Sequence, residues 1–314
     1  MAEKLITITS KGFLTLTVSA ERHRLEPFGV PTGGPADPVR CVLANRLAGN
    51  PDGAAAIEAA LVLPGIRFFD ERVIAVVGGL DGIAIRRGAE ELAFPVNASV
   101  RVFTGDELLS RPLDAGMRAY IAVSGGLAEG SVGLRAKSLE AGQMLALKKT
   151  VPPVCRMIGK MPLELPGNAA GLRVTQGVQW ERFSPEGREN FLSGEYLYTP
   201  ESSRMGIRLS GPAIGFREGA DGNIISEGML PGDIQVTSAG QPILMLADCP
   251  TSGGYAKIAH VIAADLPTAA QLRPGAKLRF RLVDLPAAHT ALRRLMLALD
   301  GSIRDLAEPD GNAL

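Results

Sequence analysis

Apolar and polar positions alternate with a two-residue period along much of this chain, the pattern of strands that bury one face. Over residues 5–18 the alternation of Leu5, Thr7 and Thr9, then Leu14, Leu16 and Val18, predicts two short strands with a turn at Lys11-Gly12. A polar arm over residues 19–28 carries Glu21, Arg22, His23 and Arg24. It leads into a loop punctuated by Gly29, Pro31, Gly33, Gly34 and Pro35. The period then lengthens. Asp37 before Pro38 reads as an N-cap followed by proline at the first helical position. Val39, Val42, Leu43 and Leu47 recur at helical spacing until Gly49-Asn50-Pro51 ends the run.

From there the chain reads as strands over residues 60–63, 66–69, 73–77, 83–85, 99–103 and 119–123, separated by glycine-bearing turns. Strands recurring about every ten residues, with no helical crossovers between them, point to a barrel or sandwich and argue against Rossmann or TIM architecture. Residues 151–167 are broken by prolines and read as a linker. A second strand-rich half covers 172–174, 194–198, 207–209, 234–236, 243–247 and 278–282. Residues 287–307 place Leu292, Leu295, Met296 and Leu299 on one face of a C-terminal amphipathic helix. The expectation is an all-β protein with few helices, divided into domains at 1–165 and 166–314.

Chemistry gathers at one place in the second half. The apolar run 243–247 ends in Asp248, Thr251, Ser252, Gly253, Gly254 and Tyr255. Adjacent glycines allow close backbone approach or positive φ, although the same residue types also make ordinary hairpin loops.

Composition narrows the classes. A length of 314 residues, with 46% hydrophobic and 21% charged, suits a globular chain of two domains. No apolar run reaches the roughly 18 residues that span a bilayer. The N-terminus carries no secretory pattern, so a cytoplasmic location is expected. Lys plus Arg and Asp plus Glu balance at 33 each, which gives no reason to expect nucleic acid or membrane as a partner. Cys41, Cys155 and Cys249 are widely spaced and read as reduced thiols. His23, His260 and His289 form no ligand pair, so no metal site is expected, and each reads as structural or surface. Neither a Gly-x-Ser-x-Gly elbow nor a phosphate-binding P-loop is present.

Five phrases occur together and in order: GVPTGGPADPVRCVLANRLAGN (29–50), RAYIAVSGGL (118–127), SSRMGIRLSG (202–211), SEGMLPGDIQV (226–236) and GQPILMLADCPTSGGYAKIAHVIAADL (240–266). In these the chain resembles the allophanate hydrolase subunit 2 family, which includes KipA-like proteins, the C subunit of bacterial 5-oxoprolinase and part of the carboxyltransferase domain of urea carboxylase. The resemblance implies two cyclophilin-like β-barrels. It implies work beside a KipI-like partner, the B type of 5-oxoprolinase chain, with an A-type chain completing an ATP-dependent complex that acts on a small amide such as 5-oxoproline or urea. No biotin-accepting Met-Lys-Met is present, so biotin, where it is used, arrives on a partner chain.

For site residues the resemblance implies Asp248 as the group that handles a proton or accepts from a substrate nitrogen, with Arg204 and Arg208 as bidentate donors to a carboxylate. Gln235, Thr251, Ser252, Gly253, Gly254 and Tyr255, with Gly33 and Gly34 nearby, are implied as substrate-binding neighbours. The chain departs from the family pattern in places. LTVSAER keeps only Arg22 of the polar end before Gly29, Ser203 stands where the family has Asp, the loop after Gly126 is short, and Pro250 replaces Gln. These departures motivate an alternative, a non-catalytic KipA-like regulatory protein.

Overall fold

The computed structural model describes residues 4–19, 25–128, 137–148 and 154–305. The polar arm around Arg22 and much of the shortened loop after Gly126 therefore lie outside the described residues. The chain forms two compact units. One comprises residues 1–20, 38–162 and 298–314, and the other residues 21–37 and 163–297.

In the first unit the two-residue period places Ile6, Ile8, Ile57, Phe68, Ile74, Val76 and Ile121 in a single core. Two six-stranded antiparallel sheets enclose it. Lys4–Ser10 and Leu14–Val18, joined through Gly12 at φ 65°, enter different sheets: the former pairs with Gly65–Phe68, the latter with Ala56–Ala60. The predicted helix forms over Pro38–Leu47 and packs against the strands Arg72–Gly79 and Ala115–Val123.

The second unit is a closed seven-stranded barrel. Its order is Ala169–Gln176, Lys257–Val261, Asp233–Val236, Pro242–Met245, Gly206–Ser210, Tyr196–Tyr198 and Lys277–Leu282. A parallel pairing, Ala169↔Lys277 through Val174↔Leu282, closes the ring. Closure removes the free edges that an open sheet would expose. Leu172, Val174, Tyr196, Ile207, Ile234, Leu244 and Phe280 fill the interior.

Two helices appear here beyond those read from the sequence, Pro185–Ser193 and Leu266–Gln271. Both are too short for a clear helical period. The first nevertheless carries a local signature, since Ser184 accepts from Gly187 N–H and Pro185 opens the helix. Its Phe191 stacks on Phe280 at 4.7 Å between centroids. The C-terminal helix runs over Leu285–Asp300, ending earlier than expected at Gly301, and Ile303–Asp305 pairs with Arg156–Ile158.

The segment read as a possible hairpin loop after Asp248 is a strand, Ser252–Tyr255. It pairs antiparallel with Asn223–Gly228 as a two-stranded ribbon outside the barrel ladder. Among the described residues no helix is long and apolar enough to cross a membrane.

Candidate active site

Two neighbouring barrel strands set the first part of the site. Gly206 pairs with Met245, and the antiparallel ladder continues past the ends of both strands. Leu246 N–H donates to Met205 O at 3.0 Å, and Asp248 N–H donates to Arg204 O at 3.0 Å. This extension brings Arg204 and Asp248 opposite one another. The guanidinium of Arg204 donates from Nε to Asp248 Oδ2 at 2.7 Å and from Nη2 to Oδ1 at 3.1 Å. Such a fork fixes both carboxylate oxygens in a plane, as a lysine could not.

The glycine loop joins them. Gly33 N–H donates to Ala247 O at 3.1 Å, and Gly34 O accepts from Arg204 Nη2 at 2.7 Å. Gly33 and Gly34 have φ of 62° and 81°, a region that a β-carbon disfavours. Ala36, Ala247 and Ala270 pack as a small apolar cluster beneath, and Gln271 Nε2 donates to Asp37 Oδ2 at 2.8 Å. Arg204 is 8% exposed and Asp248 29%. Arg204 is therefore a buried bridge between Asp248 and the loop, and Asp248 is the member of the pair that reaches solvent. A carboxylate offers about four acceptor directions, so the Arg204 fork leaves some for a ligand N–H.

Arg208 takes no part in this pair, contrary to the expectation that it would act beside Arg204. Ile207 and Leu209 face the core, so Arg208 stands on the outer wall and is exposed. Its charge is felt at Glu201, whose carboxyl is held below the usual glutamate range by its own backbone N–H first, then by the Thr199 hydroxyl and least by Arg208.

The remaining expected residues form a second group around the ribbon. Gln235 is buried, and its Nε2 donates to Tyr255 O at 3.2 Å. Gly253 lies on that amide and on Met229, so a β-carbon there would strike Gln235 Nε2 and the Met229 sulfur. The glycine thus serves close packing of the ribbon on the barrel. Thr251 O accepts from Met229 N–H at 3.1 Å, Ser252 pairs with Gly228, and Tyr255 remains 38% exposed. A β-carbon at Gly254 would meet Ile224 O and Ser226 Oγ only at ordinary contact distance.

Several polar residues beside this group were not singled out from the sequence. Lys257, almost wholly buried, donates to Gly228 O at 2.8 Å and pairs with Glu227 at 2.9 Å, and Gln179 Nε2 donates to Glu227 at 2.6 Å. Lys257 first, and then Gln179, hold the Glu227 carboxyl below its usual range. His260 Nδ1 lies 2.8 Å from Asp233 Oδ1. The available signal was the alternation of Asp233 and Gln235 about a core isoleucine. Between the two groups sits Cys249, its thiol pushed up to about 12 by burial first, then by the carboxylates of Asp233 and Asp248. An open groove of about 540 Å³ is lined by Thr175, Gln176 and residues 282–285, and none of the expected site residues borders it. Among the described residues no group of His, Cys, Asp and Glu is placed to hold a metal ion.

Known proteins share this chain's pattern over most of its length. The model of the carboxyltransferase domain, subdomain A and B, matches residues 28–282. The chain is 30% identical over 302 residues to the C subunit of 5-oxoprolinase from Escherichia coli, covering 90% of this chain and 93% of that protein. It is 28% identical over 315 residues to the urea amidolyase of Lachancea kluyveri, spanning 90% of this chain but 17% of that protein. The crystal structure of the Kluyveromyces lactis urea amidolyase superposes on 98% of this chain with a TM-score of 0.85 at 25% identity, and the chain spans 21% of it. With a match over most of its length and a relative aligned almost end to end, the chain belongs to the family of the carboxyltransferase domain, subdomains A and B.

Proposed function

We propose that this chain is the C-type subunit of an ATP-dependent complex that cleaves a small amide or transfers a carboxyl group to it, and that it shows no turnover alone. The observation that carries the reading is Asp248, a partly exposed carboxylate held in one orientation by a buried arginine fork. In that role Asp248 accepts a hydrogen bond from the N–H of a urea-like or lactam nitrogen and orients its lone pair for reaction. Preorganised dipoles of this kind usually make the largest contribution to such catalysis. Arg204 then acts as a positioning residue.

Biotin and ATP belong elsewhere in the complex under this reading. The Arg204 guanidinium is committed to Asp248 and Gly34 O, and Arg208 stands on the outer wall, so these residues do not fit the task of gripping the carboxyl of a carboxylated biotin. That group is held by another chain wherever it takes part, and a partner likewise supplies the nucleotide site.

Co-expression with the products of neighbouring genes, followed by assay of ATP-dependent consumption of 5-oxoproline and of urea, tests the proposal. Asp248→Asn is expected to abolish turnover while the complex still assembles. Activity of the isolated chain, or a complex indifferent to the substitution, would refute it. The internal use of the Arg204 fork also favours a second reading, a KipA-like regulatory protein that binds a KipI-like partner. Pull-down of such a partner, with neither an A-type chain nor a biotin carrier, would select that alternative.

A further inference from the structure

His260 and Asp233 are placed by an irregularity in the barrel. Across the strands Lys257–Val261 and Asp233–Val236, Asp233 faces His260 and Ile234 faces Ala259, but Gln235 faces Lys257. The extra residue, Ile258, is a bulge. Ile234 and Ala259 are wholly buried in the core, so Asp233, Gln235 and His260 face outward, and the bulge returns Lys257 to the same face. Bulges re-aim side chains in this way and recur beside active sites.

The pair is also oriented. Asp233 Oδ1 meets His260 Nδ1 at 2.8 Å, and its Oδ2 accepts from Leu230 N–H at 2.9 Å, so both oxygens are committed. A carboxylate at Nδ1 selects the tautomer that carries its proton there and leaves Nε2 as an acceptor. Asp233 is 11% exposed and His260 34%. Gly232, at φ 103°, lies against the outer edge of the ring, where a β-carbon would come within 3.1 Å of Nε2. On its other side His260 is the register partner of Thr175, which lines the groove of about 540 Å³. The charged groups facing the ring are Asp233 on one neighbouring strand and, further along the same face, the Lys257–Glu227 pair; Thr175 on the other strand is neutral.

We propose that His260, oriented by Asp233, is a proton-transfer residue of the second unit, with Nε2 presented to a ligand N–H of the amide or ureido class. A proton passes from the ligand nitrogen to Nε2 as that nitrogen bonds to the carbon of a carboxyl donor brought by the complex, and the bond between that carbon and its carrier breaks. The protonated ring then returns the proton to the carrier released from that donor. His260 is thereby a second catalytic residue beside Asp248, and Asp233 is its positioning residue. The inference rests on the functional reading above for its chemistry, and the tests separate the two.

Long-range proton–nitrogen spectra of the three imidazoles in the whole chain are expected to show His260 as the Nδ1–H tautomer, changing in Asp233→Asn. An Nε2–H tautomer overturns the proposal. In the active complex, His260→Gln is expected to lower kcat by about 100-fold or more with KM little changed. His260→Asn, which keeps a donor towards Asp233, is expected to fold and to lose the same activity; full kcat in either folded variant overturns the proposal. Asp233→Asn is expected to lower kcat less than His260→Gln with KM little changed, together with its change of His260 tautomer, and a tautomer and kcat both unaltered in the variant overturn its assigned role. If the wild-type complex consumes neither 5-oxoproline nor urea, the functional reading fails. The Nε2 resonance of the isolated chain during titration with each compound then decides the inference, with no response counting against it.

Discussion

Replacing Asp248 by Asn removes one charge from a pair whose other member cannot reach water, and the size of the effect can be worked from exposure. Arg204 is 8% exposed and Asp248 29%, so the pair lies between two limits. Removing one partner of a fully buried pair costs about 3–5 kcal/mol, whereas fully exposed pairs contribute about 0.2–1 kcal/mol. Asparagine keeps one carbonyl acceptor for the fork, and Gly34 O still accepts from Nη2. We expect a loss of about 2 kcal/mol, intermediate between those limits. Trp180 is the only tryptophan in the chain and is buried in the core of the second unit, so its fluorescence in urea reports that unit. With a slope of about 2 kcal/mol per molar urea, the midpoint falls by about 1 M. Arg204→Met and the double variant complete a thermodynamic cycle, with an expected coupling of about 1.5 kcal/mol. Additive single effects, with coupling below about 0.5 kcal/mol, would refute the view that Arg204 holds Asp248 in place.

Other outcomes follow from the same region. Gly253→Ala is expected to destabilise the second unit by no more than about 1 kcal/mol, because the added β-carbon meets only the flexible ends of Met229 and Gln235, read from the same fluorescence midpoint. The Cys249 thiol, pushed up to about 12 chiefly by burial, is expected to resist thiol reagents at pH 8 until urea unfolds the chain; rapid labelling of Cys249 in native protein, located by mass spectrometry, would contradict its burial. The Glu227 carboxyl is held below its usual range in the folded state by Lys257 first, then Gln179. Its stabilising share is therefore present above the unfolded glutamate value of about 4.3 and is lost as pH falls through the lower folded value. Glu227→Gln should flatten that part of the stability-versus-pH curve, and an identical slope in the variant would argue against the pairing.

The all-β class, the helix at Pro38–Leu47 and most of the barrel strands were legible in the residue pattern, because side-chain alternation and glycine turns act over a few residues and do not wait for tertiary contacts. Asp248 and the Gly33–Gly34 loop could be named as chemistry-bearing, the latter only through a family likeness, since residues so far apart carry no spacing signal. What Arg204 does was not legible. A lone arginine near a strand reads equally as a surface group or a ligand clamp, and only the ladder running on past Gly206 and Met245 aims its fork at Asp248. Arg208 shows the reverse, a residue of the same type turned to the outer wall by strand parity alone. His260 read as an isolated histidine because its partner, Asp233, comes from another strand and the bulge at Ile258 shifts the register between them. Cross-strand register and bulges are decided by how the barrel closes, a property of the whole unit that no local pattern encodes.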